Sequence, residues 1–484
     1  MANLKSLVKE TAIYGMSSII GRFLNYLLVP LYTAKLSAAS GGYGVITNMY
    51  AYVALLFVIL TYGMETTFFR YANKQEEDPQ QVYSTVLKAV GSTSVLFVVL
   101  VFVFLQPLSS FMGYADHPVY VWVMFLTVAI DAFRAIPFAY LRYSKRPIKF
   151  AFLQLLNIIV TIVLNLVFFL WIEVANVAYA FYINLFCSAM LIPCLWKELA
   201  IGFRCTFDSA LMRRMLSYSW PILVFGIVGI LNQTADKILF PYVYRGAHAH
   251  EQLGIYGAAS KIAMIMAMIT QAFRYAYEPF VFGRAKDKDS KETYANAMKY
   301  FIIFTLLAYL AVMGYMDILK YIIGSDYWSG LRVVPIVMAA EIMMGVYFNL
   351  SFWYKLTDRT IWGAVFSGIG CAVLIGINVI FVPQYGYMAC AWGGFVGYAI
   401  AMVLSYVVGQ KYYPIDYPLQ SISIYVIMAI LISCAMVWAN ACLPTWAALI
   451  VNTLLIAVFA VRIVRADLPL SSFPVIGKRF RQQK

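Results

Sequence analysis

The chain has 484 residues, of which 63% are hydrophobic and only 12% charged, and it carries a net charge of +14. Water-soluble domains hold about 45–50% apolar and about 25% charged residues, so the composition excludes a soluble enzyme or binding module. A surplus of Lys and Arg would suggest nucleic acid in a soluble protein. In an apolar chain it is sorted by side of a membrane, and no nucleic-acid partner is expected.

The sequence divides into apolar runs of about 20–25 residues, the length a helix needs to cross about 30 Å of hydrocarbon. The first run, 12–36, contains SSIIGRFLNYLLVPLYTAKL, with Arg22 and Asn25 in its interior and Pro30 beyond them. LSAAS (Leu36–Ser40) resembles a signal-peptidase site, but the run before it is too long and carries an arginine, so a retained first helix is expected. Spans follow at 44–69, 82–106, 118–141, 148–171 and 175–196. Glu65 lies near the end of the second, within reach of Arg70 or another basic residue; Asp131 and Arg134 lie three apart in the fourth. The loop 197–217 contains DSALMRRMLSY (Asp208–Tyr218), readable as a short interfacial amphipathic helix or as a solvated basic loop. The seventh span, 218–241, carries Asp236 and Lys237; the eighth, 253–280, carries Lys261, Arg274 and Glu278. The remaining spans are 298–322, 332–354 with Glu341, 361–382, 387–409, 419–440 and 444–465, fourteen in all.

Charge alternates from loop to loop. The N-terminus (Lys5, Lys9), the even-numbered loops (for example Arg142, Lys145, Arg146 and Lys149 in the fourth) and the C-terminal tail are basic. The odd-numbered loops hold little beyond Arg245 and Arg332, and none is long enough to form a domain. The positive-inside rule then puts both termini in the cytoplasm. The seven cysteines lie mostly in apolar runs without a CxxC pair, so neither a disulfide framework nor a metal site is expected. His117, His248 and His250 fall in odd loops and read as polar loop residues.

The first and seventh spans align, with RFLNYLLVPLY (22–32) on QTADKILFPYV (233–243) and Pro30 on Pro241. GGYGV (41–45) and LGIYGAAS (253–260) follow each of them, and Asn165 in the fifth span matches Asn378 in the eleventh at nearly the same shift. A shared offset over six helices describes two six-helix halves in parallel orientation, residues 1–200 and 201–412. Residues 413–484 add two further helices and a basic tail. The expected fold is an all-α integral membrane protein, and repeats of this kind with a site between them suit a transporter.

The order of these features, GR…PLY in the first span, SYSWPILVFG (217–226) and LNQTADKILFPYV (231–243) in the seventh, LGIYGAASKI (253–262) opening the eighth and INVIFVPQYGYMACAWG (377–393), resembles a known family over essentially the whole chain. It is the polysaccharide biosynthesis, or Wzx-type oligosaccharide flippase, branch of the multidrug/oligosaccharidyl-lipid/polysaccharide exporter superfamily. The resemblance implies two six-helix lobes around a central cavity, sometimes with two extra helices. It also implies movement of a polyprenyl-diphosphate-linked oligosaccharide from the inner to the outer leaflet of the bacterial inner membrane, for surface polysaccharide assembly. A monomer in the phospholipid bilayer, without a cofactor, is expected.

Charges inside spans cost about 2.5–3.5 kcal/mol at a helix centre and usually face a cavity or a partner. Arg22 lies about 15 Å into the first helix, too deep for easy snorkelling. Its guanidinium suits a bidentate grip on a diphosphate, against the competing reading of a structural ion pair. Asn25, Lys237 and Lys261 join it as candidate cavity residues. Asp236 and Lys237 are neighbours, so their side chains leave the helix about 100° apart and are expected not to share a face; Asp236 is a candidate for packing or ion coupling. Asp131 with Arg134, and Arg274 with Glu278, have the spacing of intrahelical ion pairs. Glu341 stands alone in its span as a candidate for proton or cation coupling. With no P-loop and no soluble domain, energy would come from an H+ or Na+ gradient, the membrane potential or consumption of the product. A cation-coupled multidrug exporter of the same fold and a lipid II flippase remain open. A membrane glycan polymerase or glycosyltransferase is a different class, disfavoured by the short outer loops.

Overall fold

The computed structural model describes residues 26–172, 176–283 and 289–467. Among the described residues there are helices and no strands, and thirteen helices are long and apolar enough to cross a membrane. They run Gly42–Ala72, Pro79–Val103, Pro118–Tyr143, Pro147–Trp171, Val177–Cys194, Ser209–Val243, Ala249–Arg274, Ser290–Gly314, Ser325–Leu356, Ile361–Tyr385, Tyr387–Tyr412, Leu419–Cys442 and Thr445–Ala466. These match the second to fourteenth expected spans, and the ordinals are kept below. Of the first span only Leu28–Lys35 is described as helix, and Arg22 and Asn25 lie outside the described residues.

Helix is the answer because lipid offers no partner for a free backbone N–H or C=O. The ends are set by short polar side chains and proline. Asp78 accepts from the backbone N–H of Gln80 and Gln81 and Pro79 opens the third span; Asn176 accepts from Ala178 at the start of the sixth. Asp208 accepts from the N–H of Leu211 at 2.9 Å and starts a single 35-residue helix, Ser209–Val243. The segment 208–218 is therefore neither a separate interfacial helix nor a loop. It forms the first turns of the seventh span, because nothing between Asp208 and the apolar run breaks a helix. The second span does break, at Tyr62 and Gly63, both with positive φ. A Cβ on Gly63 would also sit 3.0 Å from Ile222 of the seventh span, so the turn and the close approach both call for glycine.

Packing divides the chain into two compact units. The first comprises Met1–Lys261 with Asp326–Gly330 and Cys371–Gly393; the second comprises Ile262–Ser325, Leu331–Gly370 and Gly394–Lys484. These units follow contacts, whereas the sequence halves follow a repeat, so the two divisions describe different things.

In the first unit a core of Phe68, Tyr83, Val86, Leu87, Ile136, Leu191 and Met215 fills the end that carries the basic loops. Glu198 is fully buried beside it, with Lys149 Nζ at 2.6 Å and Arg146 at 3.5 Å. Glu65 pairs with Arg142 at 2.6 Å rather than with its neighbour Arg70, whose guanidinium stacks 4.1 Å over Tyr218. The Asp131–Arg134 pair forms within the fourth span at 2.9 Å, as the spacing predicts.

In the second unit the two C-terminal helices pack on the ninth span. Asn452, fully buried, donates to the Gly314 carbonyl and to Asn440 Oδ1, both at 2.9 Å. Asp467, just past the last helix, accepts from Lys299 and from the Tyr425 hydroxyl. Burial pushes the Asp467 carboxyl up, but the bonds from Lys299 and Tyr425 and the charges of Lys299 and Arg462 outweigh it and hold the group below the usual carboxylate range. A carboxyl lowered in the folded state stabilises fully above its unfolded pKa of about 4 and loses that contribution as pH falls through the folded value. The difference in thermal midpoint between the wild-type protein and Asp467→Asn should therefore be constant near neutral pH and shrink below about pH 4.

Candidate functional site

The seventh and eighth spans bring Asp236, Lys237 and Lys261 into the first unit. The local geometry begins with Pro241. Proline has no N–H, so the helix carbonyl four residues earlier, that of Lys237, loses its bond. Asn48 of the second span replaces it, donating from Nδ2 to the Lys237 carbonyl at 2.8 Å. The Tyr114 hydroxyl in turn donates to Asn48 Oδ1 at 2.8 Å, fixing the amide. The seventh helix is thereby held against the second at the level of its charged residues.

Asp236 is buried and accepts a 2.6 Å bond from the Tyr256 hydroxyl of the eighth span. Lys237 Nζ lies 3.0 Å from both Asp236 carboxylate oxygens and 3.0 Å from the Gln233 carbonyl, with its ammonium 5.5 Å over the Tyr256 ring. This corrects the expectation that the neighbours cannot share a face. Their Cβ bonds do diverge, but the four-carbon lysine stem curls back along the helix, which an ammonium that can point any of three N–H groups permits.

Lys261 lies 12 residues into the helix Ala249–Gly283, about 18 Å from its start, and is half-buried. Among the described residues no carboxylate lies within ion-pair distance of it, and the Lys237 ammonium is near enough to repel it. The site thus holds two cations, one carboxylate and a tyrosine hydroxyl.

Arg22 and Asn25 lie outside the described residues, and the remaining candidates have surroundings of their own. Asp131 and Arg134 pair with each other at 2.9 Å. Arg274, in the second unit, lays its guanidinium 4.9 Å over the Phe348 ring with a buried Nε; the side chain of Glu278 lies outside the described residues. Glu341, also in the second unit, is half-buried and has an interaction partner, so it is not the isolated carboxylate expected. A groove of about 990 Å³ lies among Ile59, Tyr62, Lys88, Thr93 and Trp220 in the first unit; it is largely apolar and does not include Asp236, Lys237 or Lys261.

Sequence reasoning missed Tyr256, Asn48 and Tyr114. Pro241 did carry a signal, since a proline inside a membrane helix frees the carbonyl of residue 237. Its partner, 189 residues away, left none.

The polysaccharide biosynthesis protein family matches residues 7–276, more than half of the chain. No curated protein matches. Among solved structures, the lipid II flippase MurJ in an inward closed conformation is similar with a TM-score of 0.72 at 12% identity, over 93% of this chain and 98% of that one. An inward-facing multidrug resistance MATE family transporter of the MOP superfamily gives 0.61 at 14% identity, over 80% and 93%. An outward-facing multidrug resistance MATE family transporter of that superfamily gives 0.55 at 14% identity, over 83% and 95%. At these identities the likeness is one of fold.

Proposed function

Because the chain belongs to the polysaccharide biosynthesis protein family, we propose that it moves a polyprenyl-diphosphate-linked oligosaccharide from the inner to the outer leaflet of the bacterial inner membrane. The observation that carries this reading is Lys261, a half-buried ammonium in a membrane helix with no carboxylate beside it among the described residues and a second cation, Lys237, acting on it. A cation left uncompensated in lipid is costly, and an anionic headgroup is the ligand that offsets the cost. Organic cations would be repelled by the same pair.

In this reading Lys261 grips the diphosphate, and Lys237, held by Asp236, supplies a second contact. Arg22 and Asn25 of the first span complete the site from the repeat-related helix. Asp236 and Glu341 are the carboxylates available to an H+ or Na+ coupling step. The basic loops face the cytoplasm, both termini with them, and the two six-helix halves rock about the site. That a protein of the same fold is described as a lipid II flippase fits a lipid-linked substrate.

The test is reconstitution in liposomes. The protein should translocate a fluorescent polyprenyl-diphosphate saccharide, read as its accessibility to an external quencher, and should leave a lipophilic organic cation where it is. Cation transport without glycan-lipid movement would sink the proposal.

A further inference from the structure

The groove of about 990 Å³ in the first unit lies apart from Asp236, Lys237 and Lys261 and plays no part in the proposed transport. Its walls come from the second, third and seventh spans near their basic-loop ends. The seventh helix is 35 residues long, about 52 Å, against about 30 Å of hydrocarbon. Its first turns therefore rise into the headgroup layer, and the groove runs from there into the hydrocarbon.

The body of the groove is apolar and uncovered. Trp220 is 65% exposed and Leu216 44%, with Ile59 and Phe207 exposed beside them. Contiguous apolar surface of this kind is costly against water, so its neighbour is hydrocarbon. Lipid-facing helices expose apolar side chains everywhere, and what sets this place apart is the charge at one end of it.

Lys88, a wall residue, stands about 14 Å into the third span, which opens at Pro79. It is half-buried and turns its ammonium towards the basic-loop end, donating to the Cys205 carbonyl at 2.5 Å. That bond engages one of three N–H groups. Arg213 lies one turn before Ser217 and two turns before Trp220, both wall residues, on one face of the seventh helix. It is exposed, and the nearby acid Glu77 is taken by Arg214 at 2.7 Å. Among the described residues neither Lys88 nor Arg213 has a carboxylate within ion-pair distance. Asp208, the acid of the adjoining loop, is engaged in capping the seventh helix through the Leu211 N–H, and the exposed Arg204 of that loop offsets its charge.

We propose that this groove is a binding site for an anionic glycerophospholipid of the leaflet on the basic-loop side. Its phosphate sits between Lys88 and Arg213, and one acyl chain lies along Ile59, Leu216 and Trp220. The proposal goes beyond the transport reading and does not depend on it, since the bound lipid is a structural companion rather than cargo. The guanidinium fork and the point charge of the ammonium both suit phosphate oxygens. A zwitterionic headgroup brings its own ammonium to a place where Lys88, Arg204 and Arg213 repel it, so headgroup charge decides which lipid stays.

The experiment uses the purified full chain, delipidated in detergent, with phosphatidylglycerol, phosphatidylethanolamine or a polyprenyl diphosphate added, and native mass spectrometry reads what remains bound. The unaltered protein should hold one phosphatidylglycerol about tenfold more tightly than phosphatidylethanolamine, and Lys88→Gln/Arg213→Gln should abolish the preference. Lys411→Gln, at an exposed cation of the second unit, should keep it. If the double variant does not accumulate, Ser92→Trp decides. Ser92 is exposed in the groove wall, so an indole there takes the space of the acyl chain while both cations stay. It should weaken phosphatidylglycerol binding about tenfold. A preference unchanged in the double variant, or binding unchanged in Ser92→Trp, overturns the proposal. Displacement of phosphatidylglycerol by an equal concentration of polyprenyl diphosphate overturns it as well, and makes the groove part of a substrate path.

Discussion

Lys261→Gln should lower glycan-lipid translocation in liposomes about 100-fold while leaving the thermal midpoint unchanged or a few degrees higher. The two halves of this prediction come from one observation. A membrane-embedded ammonium with no carboxylate at hand among the described residues is a net cost to the folded protein, so removing its charge relieves the protein. The same charge is worth most when a phosphate arrives in a site of low dielectric, so its loss falls on substrate. Lys237→Gln should behave differently. It leaves Asp236 buried with the Tyr256 hydroxyl as its one remaining partner among the described residues and should lower stability as well as transport. Parallel melting and transport curves for the two variants separate a substrate contact from a structural pair. If Lys261→Gln melts lower by as much as Lys237→Gln, the lysine has a structural partner and the assignment fails.

What could be read from the sequence follows the range of the forces involved. Span number and limits came from local hydropathy, and the structure departs from them chiefly at ends set by single caps such as Asp208 and at the Tyr62–Gly63 break. The repeat was legible too, but equivalence in sequence is not equivalence in bonding. Asn165 accepts from the Tyr32 hydroxyl at 2.7 Å, tying the fifth span to the first. Its counterpart Asn378 is buried with neither side-chain polar atom bonded among the described residues, because the position that matches Tyr32 is Val243. The Asp236–Lys237 pair was misjudged because Cβ directions were taken to govern a side chain long enough to turn around. Asn48 and Tyr256 reach the site from other helices, and nothing local to either residue announces that.

The largest loss of stability should come from Lys149→Met. Glu198 is the one fully buried carboxylate among the described residues, and its charge is held chiefly by Lys149 at 2.6 Å. Arg146 approaches the other oxygen at 3.5 Å, but from an exposed position and without hydrogen-bond geometry. Breaking a buried pair by removing one partner costs about 3–5 kcal/mol, because the remaining charge is stranded. The two single variants are not symmetric. Lys149 is partly exposed at the basic end, so in Glu198→Gln its ammonium can swing to water or headgroups, and the cost should be about 1.5–3 kcal/mol, that of a lost charged hydrogen bond. In Lys149→Met the carboxylate has no such exit, since Glu198 sits where the Tyr83 hydroxyl holds its backbone carbonyl at 3.0 Å against the third span. The double variant Lys149→Met/Glu198→Met should recover most of the loss, as apolar replacements of buried ion pairs do. Thermal midpoints in detergent should therefore rank Lys149→Met lowest, then Glu198→Gln, with the double variant close to the unaltered protein. Transport per folded molecule should be unchanged in all three, because the pair holds the loops together and does not face the cationic site. A double variant as unstable as Lys149→Met would mean that packing, not stranded charge, sets the cost.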